Sequence, residues 1–163
     1  IISIEPCTSG LEVSFELKYQ NKIIGNQKNK VKFNEKNLED IYSSRTFCLY
    51  EDIEKIKKNG LAKGGSLENA VVVNSEKVMN DGGLRNSKEF VNHKILDLAG
   101  DFLLSGFRII GSVICVQGGH HLSNSFLREL FNQKENFIEI NTEHNSINKE
   151  TSYLSQDKLV VNA

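Results

Sequence analysis

One stretch constrains the fold more than any other: EFVNHKILDLAGDFLL, residues 89–104. Its apolar residues recur at helical spacing, and Val91, Ile95, Leu98, Ala99 and Phe102 share a side that can pack on a sheet. At about 100° per residue, His93, Asp97 and Asp101 drift by only about 40° per step, so they share the other side with Phe90 and Gly100. An imidazole and a carboxylate one turn apart can ligate one zinc ion, whose nitrogen and oxygen donors sit at about 2.0–2.2 Å. The same residues equally suit the solvated face of an ordinary amphipathic helix. Periodicity alone leaves both readings open. Gly100 weakens a helix interior by up to about 1 kcal/mol, and its place on the polar face would let another group approach the backbone closely. A catalytic zinc takes three protein ligands and a water, and this helix offers two.

Around this helix the chain mixes short strands with amphipathic helices. LEVSFELKYQNKIIG (11–25) alternates apolar and polar residues and breaks at Asn21, which predicts a strand, a turn and a second strand. The polar stretch 27–47 suits a short helix at Leu38, Ile41 and Tyr42. EDIEKIKKNG (51–60) has acids first, lysines last and Gly60 as its stop, a helix pattern. Gly64 and Gly65 mark a loop before a strand at 70–73. The central helix is expected over 87–106, with Ser87 as N-cap and Gly106 as the stop. A β-branched strand follows at 108–116, then a glycine turn into a helix that begins near His120. The tail, 137–163, has a strand candidate at 137–140 and a last apolar patch at 159–161. These elements predict one α+β domain, residues 1–136, followed by that tail.

A length of 163 residues buries one real core. A formal net charge of -1, with lysines matched by carboxylates, excludes a general nucleic-acid binder. No apolar run reaches the roughly 18 residues of a membrane span, and no signal-peptide pattern is present. Cys7, Cys48 and Cys115 are widely spaced and form no CxxC pair, which points to a reducing, cytoplasmic setting. The chain opens with Ile1, as a processed piece or the later part of a longer protein would.

Other chemical candidates are individually weak. His120 follows two glycines at a strand-to-helix turn, where a helix N-terminus disfavours imidazolium, so a charged ring there needs a carboxylate partner. His121 is similar, and His144 lies in a polar tail. Thr46, between a basic and an aromatic residue, fits a turn equally well. KGGS (63–66) lacks the GxxxxGK[ST] frame of a phosphate loop, which excludes a nucleotide hydrolase.

In combination the blocks are specific. Arg45-Thr46-Phe47, Gly64-Gly65-Ser66, the run from His93 through Asp101, and Gly119-His120 with Asn124 occur in this order at close spacing. This series resembles the second half of the zinc-dependent UDP-3-O-acyl-N-acetylglucosamine deacetylases of lipid A biosynthesis, most clearly from Ser44 to Phe131. The resemblance implies a two-layer α/β sandwich with a small β-α-β insert at about 49–75. It implies Zn2+ held by His93 and Asp97, with Asp101 orienting His120. His120 would be the charged group that stabilises the transition state and protonates the leaving amine, and Thr46 would donate to the oxyanion. Lys94 would contact the sugar nucleotide, while Phe47 and the loop 61–67, with Gly65 and Ser66, would line the acyl passage.

The chain also departs from the family. The third zinc ligand and the general-base glutamate belong to a first domain not found here, so the chain alone would bind zinc weakly and not turn over. Lys63 stands at a usually apolar position, Gln117 where a lysine often helps bind diphosphate, and His121 where a small residue is usual. Two functions compete: a deacetylase of a UDP-linked acylated glucosamine, completed by the missing N-terminal domain, and a non-catalytic α+β binding domain or truncated remnant.

Overall fold

The computed structural model describes residues 1–34, 36–141 and 159–161. His144 lies outside the described residues. The architecture mixes helices and strands. A five-stranded sheet runs in the order β3-β2-β6-β1-β7, with β1 Ile2–Glu5, β2 Leu11–Lys18, β3 Asn26–Lys32, β6 Gly111–Val116 and β7 Leu159–Val161. The central strand β6 runs parallel to its neighbour β2, and the other pairings are antiparallel.

Alternation along β2 settles which face is inside. Val13, Phe15 and Leu17 are buried together with Val113 and Cys115 of β6, beneath the helices α3 (Glu89–Leu103) and α4 (His120–Asn132). Phe90, Val91, Ile95, Leu98 and Phe102 of α3 and Phe126 of α4 close this core, with Phe102 and Phe126 stacked at 5.8 Å. Burial of each such side chain stabilises by about 1.5–3 kcal/mol. The opposite face of the sheet is ionic. Glu12 meets Lys30 at 2.7 Å and Lys32 at 3.5 Å, and Glu16 meets Lys18 at 2.8 Å.

A second, two-stranded parallel sheet pairs β4 (Thr46–Leu49) with β5 (Ala70–Val73). A 3-10 turn (Tyr50–Asp52), α2 (Ile53–Lys58) and an exposed loop join them. A short helix, α1 (Glu39–Tyr42), precedes β4 and carries Ile41 into the core.

Several elements differ from the sequence expectation. The partner of β2 is not 22–25 but the polar stretch Asn26–Lys32. Residues 21–25 form the turn: Asn21 Oδ1 accepts from the Ile23 and Ile24 N–H groups, and Gly25 has φ 59°. The strand tolerates its polarity because it is an edge, with alternate lysines facing the β2 glutamates. Its amide side chains face α3, where Gln27 accepts from the Val91 N–H and Asn29 meets Asn92.

Helix α3 starts at Glu89 without a side-chain cap from Ser87. Asn86 organises that turn instead, accepting from the Lys88 N–H and, through its carbonyl, from the Glu89 N–H. The stop at Gly106 stands, with φ 78°. Strand β6 begins at Gly111 rather than 108. Residues 137–140 form no strand: Ile138 and Ile140 are exposed, and the strand in the tail is Leu159–Val161, paired with β1.

Candidate active site

The polar side of α3 is not a solvated face. Strand β4 lies over its N-terminal half, where Phe90 is fully buried with its ring 5.0 Å from that of Phe47. This corrects the expectation that Phe90 shares a polar face, since the second sheet covers that end of the helix. Where β4 stops short, an open cleft of about 300 Å³ remains, lined by Thr46, Phe47, His93, Lys94, Asp97, Gln117 and His120 among others. Nothing fills the space beside Gly100, where a Cβ would meet no atom within 4 Å, so the expected close approach is absent among the described residues.

His93 is fixed by its second nitrogen. Nδ1 lies 3.2 Å from the Ser44 carbonyl, which can only accept, so Nδ1 carries the proton. In the neutral ring the lone pair is then on Nε2, and Nε2 lies 3.4 Å from Asp97 Oδ1. Two lone-pair donors facing each other need a proton or a cation between them. Two donors at about 2.1 Å from one tetrahedral zinc would sit about 3.4 Å apart, so this pair fits two corners of such a site. An imidazole whose other N–H is held by a carbonyl is also the usual partner arrangement of a metal-bound histidine. Lys94 Nζ donates to the other Asp97 oxygen at 3.0 Å. Among the described residues no third histidine, cysteine, aspartate or glutamate joins them.

One turn further along α3, Asp101 reaches the glycine turn after β6. His120, the first residue of α4, places Nδ1 2.9 Å from both Asp101 oxygens. The carboxylate supplies the partner that a charged ring needs at a helix N-terminus. His120 is 65% exposed, so its remaining ring edge is free to meet a ligand in the cleft. Thr46 is exposed at the start of β4, and the Phe47 ring stands edge-on to His93 at 6.4 Å. Three of the four motifs, Arg45-Thr46-Phe47, the run from His93 and the turn at His120, therefore converge in space, and a family model matches the chain that carries them. The UDP-3-O-acyl N-acetylglycosamine deacetylase (LpxC) model matches residues 1–132.

The chain belongs to this deacetylase family. UDP-3-O-acyl-N-acetylglucosamine deacetylases similar to it include that of Campylobacter jejuni strain 81-176, 40% identical over 124 residues, covering 76% of this chain and 42% of the relative. The enzyme of Psychrobacter arcticus is 37% identical over 156 residues, 94% of this chain and 48% of the relative. That of Anaeromyxobacter dehalogenans is 40% identical over 128 residues, 78% and 41% respectively. The chain thus spans less than half the length of these curated relatives. No helix among the described residues is long and apolar enough to cross a membrane.

Not every motif of the deacetylase pattern reaches the cleft. Gly65 and Ser66 lie in the exposed loop between α2 and β5, apart from the cleft lining, as does Lys63. His121 points outward on α4 and is exposed. Gln117 does line the cleft, but its side-chain amide is hydrogen-bonded to the Lys18 backbone.

Sequence reasoning missed the group that holds this arrangement together. Glu89, fully buried, accepts from the Arg45 N–H at 3.1 Å, from Arg45 Nε at 2.8 Å and Nη2 at 3.2 Å, and from the Arg85 N–H at 2.7 Å. Burial pushes its carboxyl up, but the Arg45 guanidinium and the two backbone N–H groups more than offset this and hold it below the ordinary glutamate range. The pair pins the Ser44–Arg45–Thr46 backbone to the first turn of α3, and with it the carbonyl that orients His93. The signal was present: the four-residue step through His93, Asp97 and Asp101, taken one turn back, lands on Glu89.

Proposed function

We propose that this chain is the second half of a zinc-dependent amidohydrolase that removes the N-acetyl group of UDP-3-O-acyl-N-acetylglucosamine in lipid A biosynthesis. The observation that carries the reading is the His93 Nε2–Asp97 Oδ1 pair, 3.4 Å apart and open to the cleft, with His120 held by Asp101 beside it. His93 and Asp97 would hold the ion, which supplies Lewis acidity and an activated water when bound. His120, hydrogen-bonded through Nδ1 to Asp101, stabilises the oxyanionic transition state and gives its proton to the leaving amine. Thr46 adds a hydroxyl donor for the oxyanion. Lys94 takes the sugar-nucleotide end, while Phe47, Gly65 and Ser66 belong to the acyl passage.

In this reading residues 1–136 are a two-layer α/β sandwich with a β-α-β insert at about 49–75, residues 137–163 are its tail, and the enzyme is cytoplasmic. The third ligand and the general base lie outside the chain, so residues 1–163 alone bind zinc weakly and turn nothing over. That only two donors converge among the described residues also favours a second reading, a non-catalytic domain that keeps the fold. Acetate release by the full-length protein, assayed before and after chelation, separates the two. Release that stops on chelation and returns with zinc supports the enzyme, and undiminished release without metal sinks the zinc mechanism. No release under any metal condition favours the second reading.

A further inference from the structure

Gln117 has φ 55°, a backbone region that favours glycine, yet it stands at the point where the chain leaves the sheet for His120. The parallel ladder of β2 and β6 ends at the Glu16–Val116 pair. The Gln117 N–H extends it by one bond, to the Glu16 carbonyl at 3.0 Å. The next bonds come from the side chain. Gln117 Oε1 accepts from the Lys18 N–H at 2.6 Å, and Nε2 donates to the Lys18 carbonyl at 2.7 Å. A primary amide carries the donor and acceptor of a peptide group, so it stands in for the strand residue that β6 does not have.

The main chain is thereby released from the sheet while the end of β2 stays paired. Gly118 follows, pressed so close to the core that a Cβ would collide with Cys115 Sγ and come within 3.3 Å of Phe15. Gly119 is the N-cap of α4, and His120 is its first residue, against Asp101. The direction of departure is fixed at two points, the amide on Lys18 and the glycine on Cys115, and His120 is only two residues beyond.

We propose that Gln117 is the positioning residue for His120: its side-chain amide continues the β2–β6 pairing in place of the backbone and so sets the turn that delivers the imidazole to Asp101. The importance of this rests on the reading of His120 as a group that acts in the cleft, but the contact can be measured without turnover.

The test is NMR of the protein carrying Q117G, which keeps the positive φ accessible and removes the side chain that carries the amide, beside D101A as the reference for an unpartnered His120. Amide exchange at Lys18 should quicken about tenfold, the factor that about 1.4 kcal/mol represents. The His120 side-chain 1H and 15N signals should move toward their positions in D101A, while the dispersed spectrum of the core is retained. Q117N, one methylene too short to span to Lys18, should behave like Q117G. Unchanged His120 signals in both variants would overturn the proposal, as would Lys18 exchange equal to that of the parent. A full-length protein that releases no acetate under any metal condition would refute the deacetylase reading and leave these shifts as predicted, so the two failures are distinguishable.

Discussion

Glu89→Gln tests whether the buried ion pair organises the site. The substitution keeps the shape of the side chain and removes its charge, leaving the Arg45 guanidinium, whose side chain is 10% exposed, with the Gly83 carbonyl at 2.8 Å as its remaining acceptor outside residue 89. The new amide NH2 also faces N–H donors where an oxygen accepted before. Breaking a buried pair by removing one partner costs about 3–5 kcal/mol, because the other charge stays buried. We expect about 3 kcal/mol for this isosteric change, a large part of the roughly 5–15 kcal/mol that holds a domain folded. At roughly 2–4 °C per kcal/mol for a chain of this size, Tm should fall by roughly 6–12 °C.

The pH dependence carries a sign that a packing defect would not. The folded-state pKa of Glu89 is lowered from 4.5, so its contribution is complete above that value and is lost as pH falls through the folded value. The gap between parent and E89Q should therefore be constant from pH 8 to 6 and narrow below about pH 4.5. Replacing both partners with apolar residues, R45M with E89L, should cost less than E89Q alone, since no charge is orphaned. Urea unfolding across this pH range reads all three. An E89Q variant that melts within about 2 °C of the parent, or a gap that does not close in acid, would refute the reasoning.

Two further outcomes follow from the glycine turn. Gly118→Ala places a methyl against Cys115 Sγ and Phe15, so it should destabilise by about 1–3 kcal/mol and displace His120, and adding C115A should recover part of both losses, read by thermal melting and by the His120 NMR signals. Burial pushes the Cys115 thiol up to about 11, which leaves about one part in a thousand as thiolate at pH 8. Alkylation of the native protein should therefore spare Cys115 while Cys7, which is partly exposed, reacts, and mass spectrometry should find Cys115 modified only after unfolding.

The parts of this structure legible in the sequence are those that local chemistry decides. The apolar stripe of α3 and its stop at Gly106, the helix from His120, and the strand at Ala70–Val73 each follow from spacing and turn residues within a few positions. The parts that were not legible depend on distant partners. Strand Asn26–Lys32 has no apolar pattern of its own, and only the glutamates of β2 make its lysines a ladder. Spacing puts Phe90 on the polar face, and nothing near it in sequence shows that Phe47, 43 positions earlier, packs over it. The site divides in the same way. The step of four placed His93, Asp97 and Asp101 on one face, but the burial of Glu89 depends on Arg45, from another element. Gln117 could be numbered in the sequence, while its bonds to Lys18 are visible only when β2 and β6 lie side by side.

The central claim is that His93 and Asp97 are ligands of one zinc ion. It is tested most directly by the zinc affinity of the full-length protein, measured by competition with a chelator, for the parent and for H93A and D97A. Each substitution removes one donor of the pair, and we predict that each weakens zinc binding by at least the 10–100-fold that loss of even a supporting hydrogen bond typically costs. Parent-like zinc affinity in both variants would contradict the account.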